Sequence, residues 1–156
     1  MPAISLQPVT EQNWLAALEL TVQPTQQVFV PSVMLSLAKA YIQPNGFCYD
    51  PFAIYLRQRL GKELIGFFSL IHLLDDPTFC YLGGFLIDQR FQGQGYGRAA
   101  LAAIIRFVRT EHAECETIFL TVHPQNQIAV QLYQRTGFVR TGKWLDGEAE
   151  MQLVLA

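Results

Sequence analysis

Hydrophobic and polar positions along this chain change period several times, and each change marks an element. Ala3 to Val9 alternates weakly and predicts a first strand. Thr10 then stands as an N-cap ahead of Trp14, Leu15, Leu18 and Leu20, which are spaced as on a helix. A second helix is expected after Pro31, with Val33, Leu35, Leu37, Ala38, Tyr41 and Ile42 on its apolar side and Pro44-Asn45-Gly46 closing it. From Phe52 the period becomes two. Phe52, Ile54 and Leu56 alternate with Ala53, Tyr55 and Arg57, Gly61-Lys62 turns the chain, and Leu64 to Leu74 returns as the second arm of a hairpin. Asp75-Asp76-Pro77 breaks that run, and Phe79 to Ile87 supplies a further strand. The pair Gly83-Gly84 inside it predicts a bulge, or a backbone that something else approaches closely.

Beyond the glycine-rich stretch Gly93 to Gly97 the period returns to that of a helix. Its stripe reads Gly97, Leu101, Ile104, Ile105 and Val108. Thr117 to Val122 reads as a strand, Asn126 to Arg135 as a helix stopped by Gly137 in a left-handed cap, and the tail as a hairpin. Val139 to Trp144 and Glu148 to Leu155 are its arms, and Asp146-Gly147 is its turn. The order βα(α)βββαβαββ predicts an α/β (α+β) fold, a mixed, mostly antiparallel sheet flanked by helices, with residues 1–156 forming one domain.

Composition narrows the function classes. The chain is 51% hydrophobic and 15% charged, with a formal net charge of -2, a balance opposite to that of disordered chains. Charged residues fall short of the roughly 25% usual in soluble domains, and fifteen glutamines take up part of the polar surface. Basic residues come no closer than pairs such as Arg57 with Arg59 and Arg106 with Arg109, so no nucleic-acid footprint is expected. The apolar run Ala99 to Ile105 ends at Arg106, too short to span a membrane. Cys48, Cys80 and Cys115 have no metal or redox spacing and read as reduced, buried thiols, with no metal expected. Met1 to Pro8 lacks the features of a signal peptide, which makes a cytoplasmic location the expectation.

The sharpest local feature is Gln92-Gly93-Gln94-Gly95-Tyr96-Gly97-Arg98, placed after a strand and before a strongly amphipathic helix. Glycines let backbone N–H groups turn inward, and a helix start adds unpaired donors with partial positive charge, so this context suits a phosphate. The plain structural alternative is a tight strand-to-helix connection with no ligand. A nucleotide phosphate loop would need Lys and Ser/Thr after Gly95, where Tyr96 and Gly97 stand. A dinucleotide fingerprint opening at Gly93 would need glycine in place of Arg98 and further parallel units.

On these residues the chain resembles the GNAT family of acetyl-coenzyme A-dependent N-acetyltransferases. Their signature Q/R-x-x-G-x-G/A is matched by Gln92, Gly95 and Gly97. A second block fits as well: strand Ile118 to Val122, then Asn126, Ala129, Leu132, Tyr133 and Gly137-Phe138. Together the blocks cover Tyr81 to about Gly142. The runs Phe85-Leu86-Ile87-Asp88, Arg90-Phe91-Gln92-Gly93, Leu132-Tyr133-Gln134-Arg135 and Asp146-Gly147-Glu148 resemble the bacterial spermine/spermidine (polyamine) acetyltransferases within it.

The resemblance implies direct acetyl transfer from acetyl-coenzyme A (acetyl-CoA) to a primary amine, with a small-molecule amine acceptor as partner and room for a homodimer. It implies that backbone amides of Gln92, Gly93, Gln94, Gly95, Tyr96, Gly97 and Arg98 cradle the pyrophosphate. The edge of Phe85, Leu86 and Ile87 would pair with the pantetheine arm, and Asn126 would contact that arm, a role compatible with capping. Tyr133 would protonate the departing sulfur; its alternative is a core aromatic. The bulge at Gly83-Gly84 would offer an oxyanion donor.

Removal of the amine's proton has no assigned group. Relatives carry a carboxylate on the strand where this chain has Tyr81 and Gly83, which share one face. Tyr81 acting through a water, His72, His123 and Glu19 are the candidates. Asp75, Asp76, Glu11 and Glu19 are candidates to line a polycation site. Two other functions stay open: acetylation of a peptide or protein amine, and acetyl-CoA binding without catalysis.

Overall fold

The computed structural model describes residues 2–155. In chain order it contains β1 (Ile4–Pro8), α1 (Trp14–Leu18), α2 (Val33–Ile42), β2 (Cys48–Arg57), β3 (Lys62–Leu73), β4 (Asp76–Ile87), α3 (Tyr96–Glu111), β5 (Thr117–Val122), α4 (Gln127–Thr136), β6 (Val139–Leu145) and β7 (Glu148–Val154). That order agrees with the sequence pattern. The strands form one sheet, β1-β2-β3-β4-β5-β7-β6, in which only β4 and β5 run parallel.

Alternation of side chains along the strands divides the core in two. Phe68 and Leu70 point to one face with Ile54, Leu101, Ile104, Val108, Ile118 and Met151, where α3 and α4 pack. Phe67, next to Phe68 on β3, points to the other face with Leu86, Ala17, Leu20, Val22 and Val33. Each fully buried large side chain stabilises the fold by about 1.5–3 kcal/mol, so β3 is clamped from both sides.

Several local expectations change. Thr10 is not the N-cap of the first helix: Asn13 holds that position, and its Oδ1 accepts the Thr10 N–H at 2.8 Å, closing a turn ahead of Trp14. The helix ends at Leu18 rather than Leu20, and Leu15 is 63% exposed. In α2 the inward residues are Val33 and Ser36, whereas Leu35, Tyr41 and Ile42 face outward. A close approach selects Ser36, because a Cβ at Gly84 would lie 2.9 Å from its Oγ. Asp76 and Pro77 do not break the sheet; the turn falls at Leu74-Asp75, and β4 starts at Asp76. Cys48 is half-buried, while Cys80 and Cys115 are buried with sulfurs 3.6 Å apart. Among the described residues no helix is long and apolar enough to cross a membrane.

Asp88, 2% exposed, ties the end of β4 to the segment between α1 and α2. It accepts hydrogen bonds from Thr21 N–H at 3.0 Å, Arg90 N–H at 3.0 Å and Arg90 Nε at 2.8 Å. Burial by itself would raise this carboxyl, but the bonds from Arg90 and Thr21 outweigh it and hold the group below its ordinary value. A carboxylate lowered on folding adds stability above its unfolded value of about 4 and loses it as pH falls through the lower folded value. Asp88→Asn is therefore expected to lower unfolding free energy at pH 7 by about 1–3 kcal/mol. Urea titrations should show the gap to wild type closing in acid; a gap unchanged from pH 7 to 3 would contradict this.

Candidate active site

The site begins where β4 loses a neighbour. Its parallel pairing with β5 covers Phe79, Cys80 and Tyr81 against Thr117, Ile118 and Phe119, and no further ladder pair joins the two strands. Beyond Tyr81 each strand keeps only its outer partner: β4 stays on β3 as far as Ile87 with Gly66, and β5 stays on β7 as far as Val122 with Ala149. A β-bulge accompanies the separation. Phe67 pairs with Leu86 and Ser69 with Gly83, so Phe68 stands opposite both Gly84 and Phe85. Gly84 adopts a φ of 58°, the left-handed region that glycine enters without steric cost. The expected bulge is present.

Between the diverging strands lies a cleft of about 570 Å³. Tyr81, Gly83, Gly84 and Phe85 form its β4 wall, and Ser36 and Lys39 of α2 close one side. Thr121 and His123 at the end of β5, Asn126 and Tyr133 of α4, and Asp146 and Glu148 of the β6–β7 hairpin close the other. Leu86 and Ile87 do not line it, and their side chains are buried in the two cores.

The glycine loop lies at the C-terminal end of β4, outside this enclosed cleft. Gly93 and Gly95 have φ values of 75° and 86°, with nothing within 4 Å of an added Cβ, so the backbone turn rather than crowding requires glycine. Gly95 is the N-cap of α3, and the first helical bond runs from Ala99 N–H to the Gly95 carbonyl at 3.2 Å. The N–H groups of Tyr96, Gly97 and Arg98 thus precede any helical acceptor and sit at the positive end of the helix dipole. Gln92 turns its side chain away from the loop opening. Its Nε2 donates to the Ile87 carbonyl at 2.9 Å and to Gln26 Oε1 at 3.0 Å, bracing the loop. Gln94 and the Arg98 side chain are exposed.

Polar groups in and beside the cleft fall into four sets. Tyr133 is buried, its ring packed edge-on against Phe138 at 5.7 Å. Burial, helped by the nearby Glu148 carboxylate, pushes its phenol well up, so it stays protonated at neutral pH. On β4, the Tyr81 hydroxyl donates to Glu150 Oε2 at 3.1 Å, and the same buried carboxylate accepts Thr141 Oγ1 at 2.9 Å. Burial first, and then Glu150, raises the Tyr81 phenol. Glu148 accepts Thr121 Oγ1 at 2.8 Å through Oε1. Ser69, 2% exposed and bordering the cleft, has a hydroxyl with no hydrogen-bond partner.

Several sequence candidates lie elsewhere. His72 pairs with Asp50 at 2.7 Å, away from the cleft, and Glu19 does not line it either. Glu11, Asp75 and Asp76 are likewise absent from its walls. His123 is present, its Nδ1 accepting the Gln125 N–H at 3.1 Å. Asn126 caps α4 through the Ala129 N–H at 3.4 Å and also faces the cleft. Glu148, Glu150 and Ser69 were not singled out. Glu148 and Glu150, two apart on β7, share a face by alternation, but the placing of β7 beside β5 is not visible in the sequence.

The acetyltransferase (GNAT) family model matches residues 15–138. The chain belongs to this family. It is 31% identical to a spermine/spermidine N(1)-acetyltransferase of Bacillus subtilis, with 97% of each chain covered. Its fold is similar to a domain from Methanocaldococcus jannaschii (TM-score 0.75, 14% identity, 99% of each chain covered). It is also similar to the spermidine N-acetyltransferase of Vibrio cholerae, crystallised with CoA and spermine (TM-score 0.73, 20% identity, 97% and 95% covered). The chain is thus an N-acetyltransferase on a GNAT fold, as its motifs imply.

Ser69 provides a direct check on the cleft. An unpartnered buried hydroxyl costs about 1–3 kcal/mol, so Ser69→Ala should leave thermal stability without ligand unchanged or raised while weakening a ligand that fills the cleft. A melting temperature several degrees lower would show that the hydroxyl already has a partner.

Proposed function

We propose that this GNAT enzyme transfers the acetyl group of acetyl-CoA directly to a primary amine of a small aliphatic polyamine. The observation that carries this reading is the gap between β4 and β5, open along the bulged β4 edge and faced by a protonated Tyr133 and a carboxylate, Glu148. The residues present fit the donor. The backbone edge of Phe85, Leu86 and Ile87 has no strand partner on the β5 side, and Tyr96, Gly97 and Arg98 present open N–H groups. Gln92 fixes that loop against the end of β4, while Gly93, Gln94 and Gly95 shape its turn.

Acetyl-CoA supplies the activated acyl group as a thioester. The chain then has three tasks: to hold the acyl carbonyl, to accept protons from the amine, and to return one to sulfur. Backbone N–H groups at the bulge suit the first, since Gly84 and Phe85 stand opposite the single residue Phe68 and the ladder is interrupted there. Tyr133 suits the last, because burial keeps its phenol protonated and it lines the cleft, where it can donate to the departing sulfur. Asn126 holds the start of α4 and so the position of Tyr133 two turns along. Asp146 and Glu148 give the hairpin wall an acidic character, with Lys39 as the cation in the cleft. This favours an acceptor with more than one ammonium group, and the named activity of the B. subtilis relative supports the same class.

Thiol release from acetyl-CoA, followed with spermidine, spermine, short diamines, monoamines and peptides, tests the reading. Turnover highest with polyamines is expected; none above background with any amine overturns it. Tyr133→Phe should lower kcat by about 10²–10⁴-fold with CoA affinity by calorimetry kept. Because Arg98 is the only cationic side chain from Gln92 to Arg98, CoA affinity should fall only mildly with added salt, and a steep decline would contradict a backbone-dominated site.

A further inference from the structure

We propose that Glu148 is the general base of this enzyme, receiving the acceptor's ammonium group and taking its proton. The assignment rests on the acetyl-transfer reading above. The β4 wall presents Tyr81, Leu82, Gly83, Gly84 and Phe85 and no carboxylate, so the proton acceptor must come from another wall. Three carboxylates are near. Glu150 is 4% exposed with both oxygens engaged, by Tyr81 and by Thr141, and it does not line the cleft. Asp146 is exposed in the turn. Glu148 is half-buried on the cleft wall, and Thr121 engages only Oε1. Among the described residues Oε2 has no hydrogen-bond or ion-pair partner.

Its position relative to the acid supports the same role. Glu148 lies close enough to Tyr133 for its charge to help raise that phenol. In an acyl transfer the attacking nitrogen and the departing sulfur bond to the same carbon, so base and acid belong within a few ångströms of one another. Across the cleft, the unpartnered Ser69 hydroxyl beside Gly83 gives a bound group a second polar contact. The other titratable groups lining the cleft with Glu148 are Tyr133 from α4, His123 after β5, Tyr81 of β4 held by Glu150, Tyr49 of β2, Asp146 in the turn and Lys39 of α2.

The step balances as follows. The ammonium gives one proton to Glu148 and becomes a free amine. The N–C bond forms as the C–S bond breaks, and Tyr133 gives its proton to the departing thiolate. The nitrogen loses a second proton as the amide forms, which restores Tyr133, and Glu148 releases its own to solvent. One proton leaves overall, with acetylated amine and free thiol as products.

Glu148→Gln keeps the size of the side chain and the bond from Thr121. With spermidine it should lower kcat/KM at pH 7 by about 10²–10⁴-fold, mostly in kcat. Activity should recover with rising pH toward the acceptor's own pKa, as free amine no longer needs a base. Calorimetric CoA affinity should match wild type, with His123→Gln retaining most activity. A higher KM with kcat unchanged across pH would make Glu148 an anchor and overturn the assignment. So would the same pH-dependent loss in His123→Gln with Glu148→Gln active. Wild-type protein inactive with every amine would instead overturn the transferase reading beneath it.

Discussion

The release of β4 from β5 after the Tyr81–Phe119 pair is the constraint on which the rest of the structure depends. A buried strand edge with unmatched N–H and C=O groups is unfavourable unless water or a ligand pairs with it. Here the separation is stable because each strand keeps its other ladder, β4 on β3 through a bulge and β5 on β7 without interruption. Gly84, with its positive φ, lets β4 bend through the bulge without breaking from β3. The opening is therefore bounded by paired strands on either side, with the β4 bulge setting its shape.

The two arms of that opening are fixed by different cores. Phe68, Leu70, Leu101 and Ile104 hold α3 beneath the sheet, while Phe67 and Leu86 hold the α1–α2 segment against the other face. Asp88 and Gln92 join these layers just past β4, one through Thr21 and Arg90, the other through Ile87 and Gln26. Both polar side chains act on the position of the glycine loop rather than on its opening. Under the proposed reading, what remains there to meet a phosphate is backbone N–H groups and the Arg98 side chain, which suits a chain with few charges and many glutamines.

Inside the cleft, burial and nearby carboxylates act together. Tyr133 and Tyr81 are both raised by burial first, and then by Glu148 and Glu150 respectively. Their hydrogen bonding differs: Tyr81 is tied to a carboxylate that Thr141 also occupies, whereas Tyr133 faces the space where a reacting group would lie. Strand β4 thus carries one tyrosine held in place, and helix α4 carries the one proposed to transfer a proton.

Much of this was legible along the chain. Periodicity placed all eleven elements in order, Gly83-Gly84 announced the bulge, Asn126 and Gly137 marked the two ends of α4, and the loop residues pointed to the family. Such features are local: they depend on backbone conformations that a few neighbouring residues decide. Where inference failed, the deciding contact was distant in sequence. Ser36 faces inward because α2 meets Gly84, and His72 is taken by Asp50 across a strand pair. Glu148 reaches Thr121, 27 residues away, because β7 inserts beside β5 rather than at the sheet edge. A sequence specifies which residues can turn, cap or alternate; which carboxylate meets which tyrosine is decided only when strands far apart in the chain become neighbours.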